Sequence, residues 1–359
     1  LLRNIAIFIK SNYLNLKNKI ISSKEMQEIN VAIAGYGKMG KIRENSFLEF
    51  PEVNLVSIFD SHQKNIQTSS KICNSYEELL DSGIDAVFVS AYVNVSAEYV
   101  LRALKKGKHV FCEKPPSITL KELDEIREFQ SESSLVLKYG FNHRFHYSVI
   151  EAKKIIEMGE MGKLLWIRGV YGKAGSLDFE KNWRSYKEYA GGGILMDQGI
   201  HMLDLYRFFL DENLKCESSY LSSLLWEIEN EDNGFVLLKS DSGVIATLHS
   251  SATQWRHKFL LEMAFENGYI NLDGILSSTG SYAPERLVHG FRDSEDIGKA
   301  MGRPDETLSE YEVDNSWQLE LEEFTKAIQG SHAIEHGTID DACSVMTLVD
   351  EIYNKNSRQ

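Results

Sequence analysis

From residue 29 onward, short apolar runs alternate with segments of helical periodicity. Asn30-Val31-Ala32-Ile33-Ala34 has the unbroken apolar character of a strand buried on both faces. The turn Gly35-Tyr36-Gly37-Lys38-Met39-Gly40 leads from it into a helix expected over residues 38–50. Further strands are predicted at 53–59, 84–90, 109–112 and 135–139, with helices at 97–106 and 120–129 between them. Strand–helix alternation of this kind predicts an α/β domain built on a parallel sheet covered on both faces.

Past residue 146 the texture changes. A helix over 149–158 and a strand over 164–171 precede a polar loop, the triplet Gly191-Gly192-Gly193 and a helix over 194–209. Strand-like runs then dominate, at 235–239, 244–250, 259–265 and 269–272, separated by short turns such as Asp241-Ser242-Gly243. This spacing suits antiparallel neighbours and predicts an α+β second domain with a largely meandering sheet. Helices over 317–329 and 340–353 close the chain. The expected division is a poorly ordered N-terminal extension at 1–25, a first domain at 26–146 and a second at 147–359. Within the extension, Ile5-Ala6-Ile7-Phe8-Ile9 is too short an apolar run for a signal peptide. An amphipathic membrane-surface segment is the alternative there.

The bulk numbers narrow the partners. At 359 residues the chain suits two domains, and 43% hydrophobic with 26% charged residues fits a folded globular protein. A net charge of −14 argues against nucleic acid as a partner, because backbone phosphates need clustered Lys and Arg. A small anionic ligand stays open, since glycine turns and helix N-termini hold phosphate locally. Cys73, Cys112, Cys216 and Cys343 are too scattered for a zinc site or a disulfide framework, which points to a reducing cytoplasm and no metal. No apolar stretch is long enough for a membrane span.

A glycine hexapeptide alone is weak evidence for a nucleotide. Here it follows an apolar strand, opens a helix and is answered by Asp60 at the end of the next strand. Gly35 allows the tight turn, Gly37 lets a pyrophosphate approach the backbone, and Gly40 allows close helix–strand packing. Tyr36, Lys38, Met39, Ser90 and Glu113 are expected to complete the cofactor site. A carboxylate at Asp60 would accept hydrogen bonds from the adenosine ribose and repel a 2′-phosphate, favouring NAD over NADP. Ser61-His62-Gln63 supplies no arginine to offset that repulsion, although Lys64 is near enough to keep NADP open. FAD is a rival that the second domain fits less well.

Two clusters carry candidate chemistry. Glu113-Lys114-Pro115 ends a predicted parallel strand, the edge at which open α/β sheets bind ligands. A lysine there can donate to a substrate hydroxyl and stabilise the alkoxide that develops as hydride leaves. As a bare turn the tripeptide would mean nothing. Asp197 and His201 are four apart, which places both on one helix face and makes His201 a candidate general base. The bland reading of that pair is a buried histidine satisfied by its neighbour. The glycines at 191–193 let a ligand or a neighbouring backbone come close. His143 and His146 read as packing or surface residues.

In order along the chain, the glycine fingerprint, Glu113-Lys114-Pro115, Gly140-Phe141-Asn142-His143-Arg144-Phe145, Trp183-Arg184, the three glycines and Asp197-Gln198-Gly199-Ile200-His201 resemble the glucose–fructose oxidoreductase / inositol dehydrogenase (Gfo/Idh/MocA) family. The resemblance implies a Rossmann domain followed by a domain with an open, mostly antiparallel sheet. It also implies NAD(P)-linked chemistry on a sugar, sugar derivative or polyol. By the same likeness Lys114 matches the catalytic lysine, Asp197 the substrate-binding acid and His201 the proton-transferring histidine. Asn142 and Arg144 match residues near the domain junction, and with Trp183 and Arg184 they are expected to border the substrate. The family's Thr-Pro-x-x-x-His is replaced by Ala91-Tyr92-Val93-Asn94-Val95-Ser96, which puts the shape of that loop in doubt. Residues 172–176 and 281–303 match nothing assignable and are expected to set substrate choice.

A dehydrogenase acting on CH–OH groups is the leading expectation. An NAD-dependent glycosidase working through transient oxidation, a non-catalytic NAD-binding sensor and an imine reductase are the other readings. The second sheet lacks obvious cover on one face, so a homodimer or homotetramer is expected.

Overall fold

The structure, a computed structural model, describes residues 28–63, 65–175, 178–292 and 304–356. The extension expected at 1–25 and Lys64 lie outside these residues. The first sheet comprises β1 (Ile29–Ala34), β2 (Val53–Phe59), β3 (Lys71–Ile72), β4 (Ala86–Val89), β5 (His109–Glu113) and β6 (Leu137–Gly140). Their order is β3-β2-β1-β4-β5-β6, all parallel, which is the expected doubly wound α/β layer. Chain direction across the sheet reverses between β1 and β4, opening a crevice at the carboxyl ends of the strands. Helices α1 (Lys38–Phe47), α2 (Tyr76–Leu80), α3 (Val93–Lys105) and α4 (Leu120–Ser131) connect the strands. Helix α3 starts at Val93 rather than at the predicted residue 97. The β-branched Val93 and Val95 have low helix propensity, but Tyr92 adopts the non-helical geometry of an N-cap and the helix follows at once.

After α5 (Tyr147–Glu157), the second sheet contains β7 (Leu164–Ala174), β8 (Leu214–Ser222), β9 (Asn233–Ser240), β10 (Ile245–Ser251), β11 (Thr253–Phe265), β12 (Gly268–Asp273), β13 (Glu285–Phe291) and β14 (Glu306–Tyr311). The order is β14-β13-β12-β11-β7-β10-β9-β8. Every neighbouring pair is antiparallel except β7 with β10, so the sheet is mostly antiparallel as expected, with one long crossover. The short helix α6 (Lys187–Ala190) lies in the loop after β7. Helices α7 (Ile200–Leu210) and α9 (Ile339–Asn356) cover one face of the sheet. The Tyr206 hydroxyl donates to the Thr247 carbonyl at 2.8 Å, and Ser219 donates to the Ile352 carbonyl at 2.8 Å. On the opposite face Trp166 (42% exposed), Phe235 (47%), Leu237 (40%) and Ile245 (39%) stand open. Strand register places Tyr220 beside Phe235 and Phe235 beside His249, so this is a contiguous apolar strip.

Helix α8 (Ser316–Ile328) returns to the first sheet. Phe324 packs edge-on against Phe88 and Phe111 at centroid distances of 5.5 and 5.6 Å. Beside it Arg43 of α1 is fully buried between two carboxylates, Glu113 at 2.6 Å and Glu320 at 2.7 Å, with its guanidinium over the Phe111 and Trp317 rings. One side of the nucleotide sheet is thus covered by a segment from near the far end of the chain.

Candidate active site

The glycine turn folds as its sequence requires. Gly35 has φ +93°, and a Cβ there would sit 2.5 Å from the backbone of Ser90 and Ala91. Gly37 caps α1 and faces open space, leaving the first-turn N–H groups of the helix at the floor of a cleft. Gly40 and Tyr36 serve packing: Gly40 abuts Gly35, and the Tyr36 ring is buried with its hydroxyl on Glu44. Asp60, at the end of β2, accepts from the Tyr36 N–H at 2.6 Å and from the His62 and Gln63 N–H groups at 2.8 Å. These bonds fix its carboxylate at the rim of the cleft.

Gly35, Lys38, Met39, Asp60 and Ser90 line one end of this cleft. Glu113, Lys114, Trp183, Arg184 and Asp197 line the other, so residues expected to bind cofactor and substrate share one space. Two buried polar atoms of the lining, Ser90 Oγ and Asn94 Oδ1, have no hydrogen-bond partner among the described residues. Buried orphans of this kind call for a polar ligand. With the helix N-terminus and Asp60, they fit a dinucleotide lying along the strand ends.

Tyr92 is the departure that reshapes the loop. Its ring stacks on Trp183 at 4.8 Å and packs against Tyr189 at 5.7 Å and His62 at 4.9 Å. An aromatic bridge therefore joins the two domains across the cleft. Ser96, where the family has histidine, is buried and donates to the Tyr92 carbonyl at 2.9 Å.

Lys114 donates to the backbone carbonyl of Asp197 at 2.5 Å and lies 3.6 Å from its carboxylate. The carboxylate of Asp197 also pairs with Lys173 and, at 3.1 Å, with Arg184 Nε. Burial works against ionisation of Asp197, but Lys173, Arg184 and Lys114 hold its carboxyl well below the usual range. Burial lowers the Lys114 ammonium from its ordinary value; Asp197 opposes the fall, while Arg184 and Lys173 add to it.

The Asp197–His201 pairing expected from their spacing is not formed. Residues 195–199 make a π-helical turn, so the four-residue offset no longer stacks the two side chains as in an α-helix. His201 instead stacks on His143 at 3.7 Å, and His143 Nε2 meets the Tyr171 hydroxyl at 2.9 Å. Burial, reinforced by Lys114, pushes His201 well below its ordinary value of 6.5. His201 is therefore a neutral imidazole whose buried Nδ1 has no partner among the described residues.

Asn142 and Arg144, expected beside the substrate, sit elsewhere. Both lie in a buried 3₁₀ turn. Asn142 donates to Ser316 at 3.2 Å, and all three guanidinium nitrogens of Arg144 are taken by Asp204 and Asp341. Four of the five N–H donors of Arg144 are used, and the guanidinium is 5% exposed. Within the triplet, Gly193 makes room for a neighbouring backbone, since a Cβ there would lie 2.0 Å from the Glu231 carbonyl, and Gly192 makes room for the Tyr353 hydroxyl.

Lys173 falls within residues 172–176, expected to set substrate choice, but no motif assigns it or Tyr171 a partner in the site. The available signal was the two-residue period of β7, which turns Ile167, Gly169, Tyr171 and Lys173 to one face.

Fold and site together define a nicotinamide-dependent, two-domain oxidoreductase. Residues 29–141 match the model of the oxidoreductase family with an NAD-binding Rossmann fold, and residues 149–271 match the GFO/IDH/MocA C-terminal domain. The chain belongs to the Gfo/Idh/MocA family. It is 25% identical to the myo-inositol 2-dehydrogenase of Thermotoga maritima over 74% of this chain and 81% of that protein. It is 26% identical to the scyllo-inositol 2-dehydrogenase (NAD(+)) of Bacillus subtilis over 68% and 73%. A levoglucosan dehydrogenase in complex with NADH and levoglucosan has the same fold, with a TM-score of 0.81, 20% identity, and coverage of 92% of this chain and 98% of that one. No helix among the described residues is long and apolar enough to cross a membrane.

Proposed function

We propose that this chain is an NAD-dependent dehydrogenase that moves a hydride between NAD and a CH–OH or keto carbon of a sugar, sugar derivative or polyol. The observation that carries this reading is the meeting of Lys114 and Asp197 with the glycine-turn cleft in one space. The dinucleotide would lie over Gly35, Gly37 and the N-terminus of α1, and its nicotinamide ring would exchange hydride with the substrate carbon. Asp60 favours NAD over NADP by charge. Lys114 supports the alkoxide. His201, neutral behind it, takes the hydroxyl proton. Asp197 stays ionised, anchors the cations around it and accepts from substrate hydroxyls.

The test is a panel of free sugars, polyols, uronates and nucleotide sugars with NAD and NADP, read as near-ultraviolet absorbance of the reduced cofactor. Release of an aglycone with no net NADH would overturn the reading in favour of a glycosidase. The pH profile follows from the direction of the histidine shift. His201 must be unprotonated to act, so the acidic limb of kcat/KM falls below its ordinary 6.5. A limb at or above that value would remove the neutral-histidine role. Stability has the same sign: the depressed histidine contributes fully above 6.5, and the contribution is lost as pH falls through the lower folded value.

The open apolar face of the second sheet supports a homodimer or homotetramer. Light scattering at micromolar concentration should return a multiple of the chain mass; a monomer would defeat this. The four buried free cysteines fit a reducing compartment, the cytoplasm.

A further inference from the structure

Three cations converge on one carboxylate in the substrate half of the cleft. Lys114, Lys173 and Arg184 surround Asp197, and the side chains of all four are at most 34% exposed. Glu113 lines the same cleft and shares Arg43 with Glu320, so it offsets one of these three positive charges. His257 lies on the Lys173 side, within range of that ammonium's field and against the Tyr282 ring. Among the described residues the substrate half of the cleft thus gathers three cations against two carboxylates, in a chain whose net charge is −14.

Arg184 is the most informative member. Its Nε is committed to Asp197 at 3.1 Å, and its guanidinium lies over the Trp183 ring at 4.4 Å. Those two contacts fix the plane of the fork. Its two terminal nitrogens have no protein partner among the described residues, and the residue lines the cleft. An oriented guanidinium with its outer edge free is the geometry that receives a carboxylate or phosphate through two parallel bonds. Lys173, with one of its three donors on the other oxygen of Asp197, is held by the same carboxylate.

We infer that the substrate is an anionic sugar derivative whose carboxylate or phosphate is received by Arg184 and Lys173 while its reacting hydroxyl faces Lys114. This rests on the dehydrogenase reading and narrows it to acids and phosphate esters. The unmatched segment around residue 173 then acts as the selector of substrate charge.

Matched sets test it: glucose, glucuronate and glucose 6-phosphate, assayed for NADH formation with wild type, Arg184→Met and Arg184→Lys. Wild type should prefer at least one anion over glucose by about 10- to 100-fold in kcat/KM, the worth of one or two charge-assisted bonds. Arg184→Met should bring the ratio to within about threefold, and Arg184→Lys should restore part of it. A parallel arm measures thermal shifts of the NADH-loaded protein with the same compounds, where the same order is expected. No preference for an anion in either arm overturns the inference, as does a preference that survives in Arg184→Met. A fall in NADH affinity of Arg184→Met as large as the change in preference also overturns it, because the fork would then serve the dinucleotide. If anions shift the melting temperature selectively but no compound yields NADH, the dehydrogenase reading fails and the anion site stands. The carboxylate and phosphate arms separate the two sources of charge.

Discussion

Replacing Lys114 with methionine is expected to lower kcat by about 10²–10⁴-fold, the range associated with loss of a proton-transfer or oxyanion-stabilising group. Methionine keeps most of the volume, so the cleft holds its shape. Asp197 retains Lys173 and Arg184 as partners, so its carboxylate is not stranded. The glycine turn and Asp60 line the opposite end of the cleft, and NADH affinity should stay within about threefold of wild type. Steady-state kinetics on an accepted substrate, together with an NADH fluorescence titration, separate the two effects. A kcat within about tenfold of wild type would remove Lys114 from the reacting centre.

The largest stability effect is expected at Arg144. This guanidinium is 5% exposed and binds Asp204 through two nitrogens, at 2.8 and 2.5 Å, and Asp341 through two contacts, at 3.2 and 2.9 Å. It ties together the turn after β6, helix α7 and the start of α9. Methionine would leave Asp204, which is fully buried, facing an apolar side chain. Removing one member of such a buried pair costs about 3–5 kcal/mol. Urea unfolding of Arg144→Met reads this loss, and adding Asp204→Asn should recover part of it by removing the stranded charge. A substrate ligand would behave differently, with KM rising and the unfolding midpoint unmoved. That outcome would sink the clamp assignment.

The parts of the molecule that could be read ahead of the structure are those where one physical demand governs many consecutive residues. Strands β1 and β4 are buried on both faces and therefore appear as unbroken apolar runs. The glycine turn has a fixed geometry, and so does Asp60 at the next strand end. Strand β14, Glu306–Tyr311, gave no such signal because it is a largely exposed edge strand with no apolar alternation. In β8 the alternation is broken by a register shift between Cys216 and Ser218. Strand β3 is two residues long and exposed.

Within the site, residue types were legible and partners were not. The motif containing Asp197 and His201 was visible, but a five-residue π turn redirected each to a different neighbour. Arg144 stood out in its motif, yet Asp204 and Asp341 engage it from helices distant in sequence. Long-range pairing is the information a single sequence hides best.

The return of α8 to the first sheet has a consequence for how the protein is made. During synthesis the nucleotide-binding strands leave the ribosome well before residues 316–328. Until then Phe88 and Phe111 lack Phe324 above them, and Arg43 has one of its two carboxylates. A chain stopped after residue 315 would carry the whole cofactor motif on a sheet with one greasy side covered only in part, by Phe47 of α1 on Phe88. Completion of the first domain waits for residues 316–328, so a product terminated before them is a candidate for chaperone capture rather than a smaller nucleotide-binding protein.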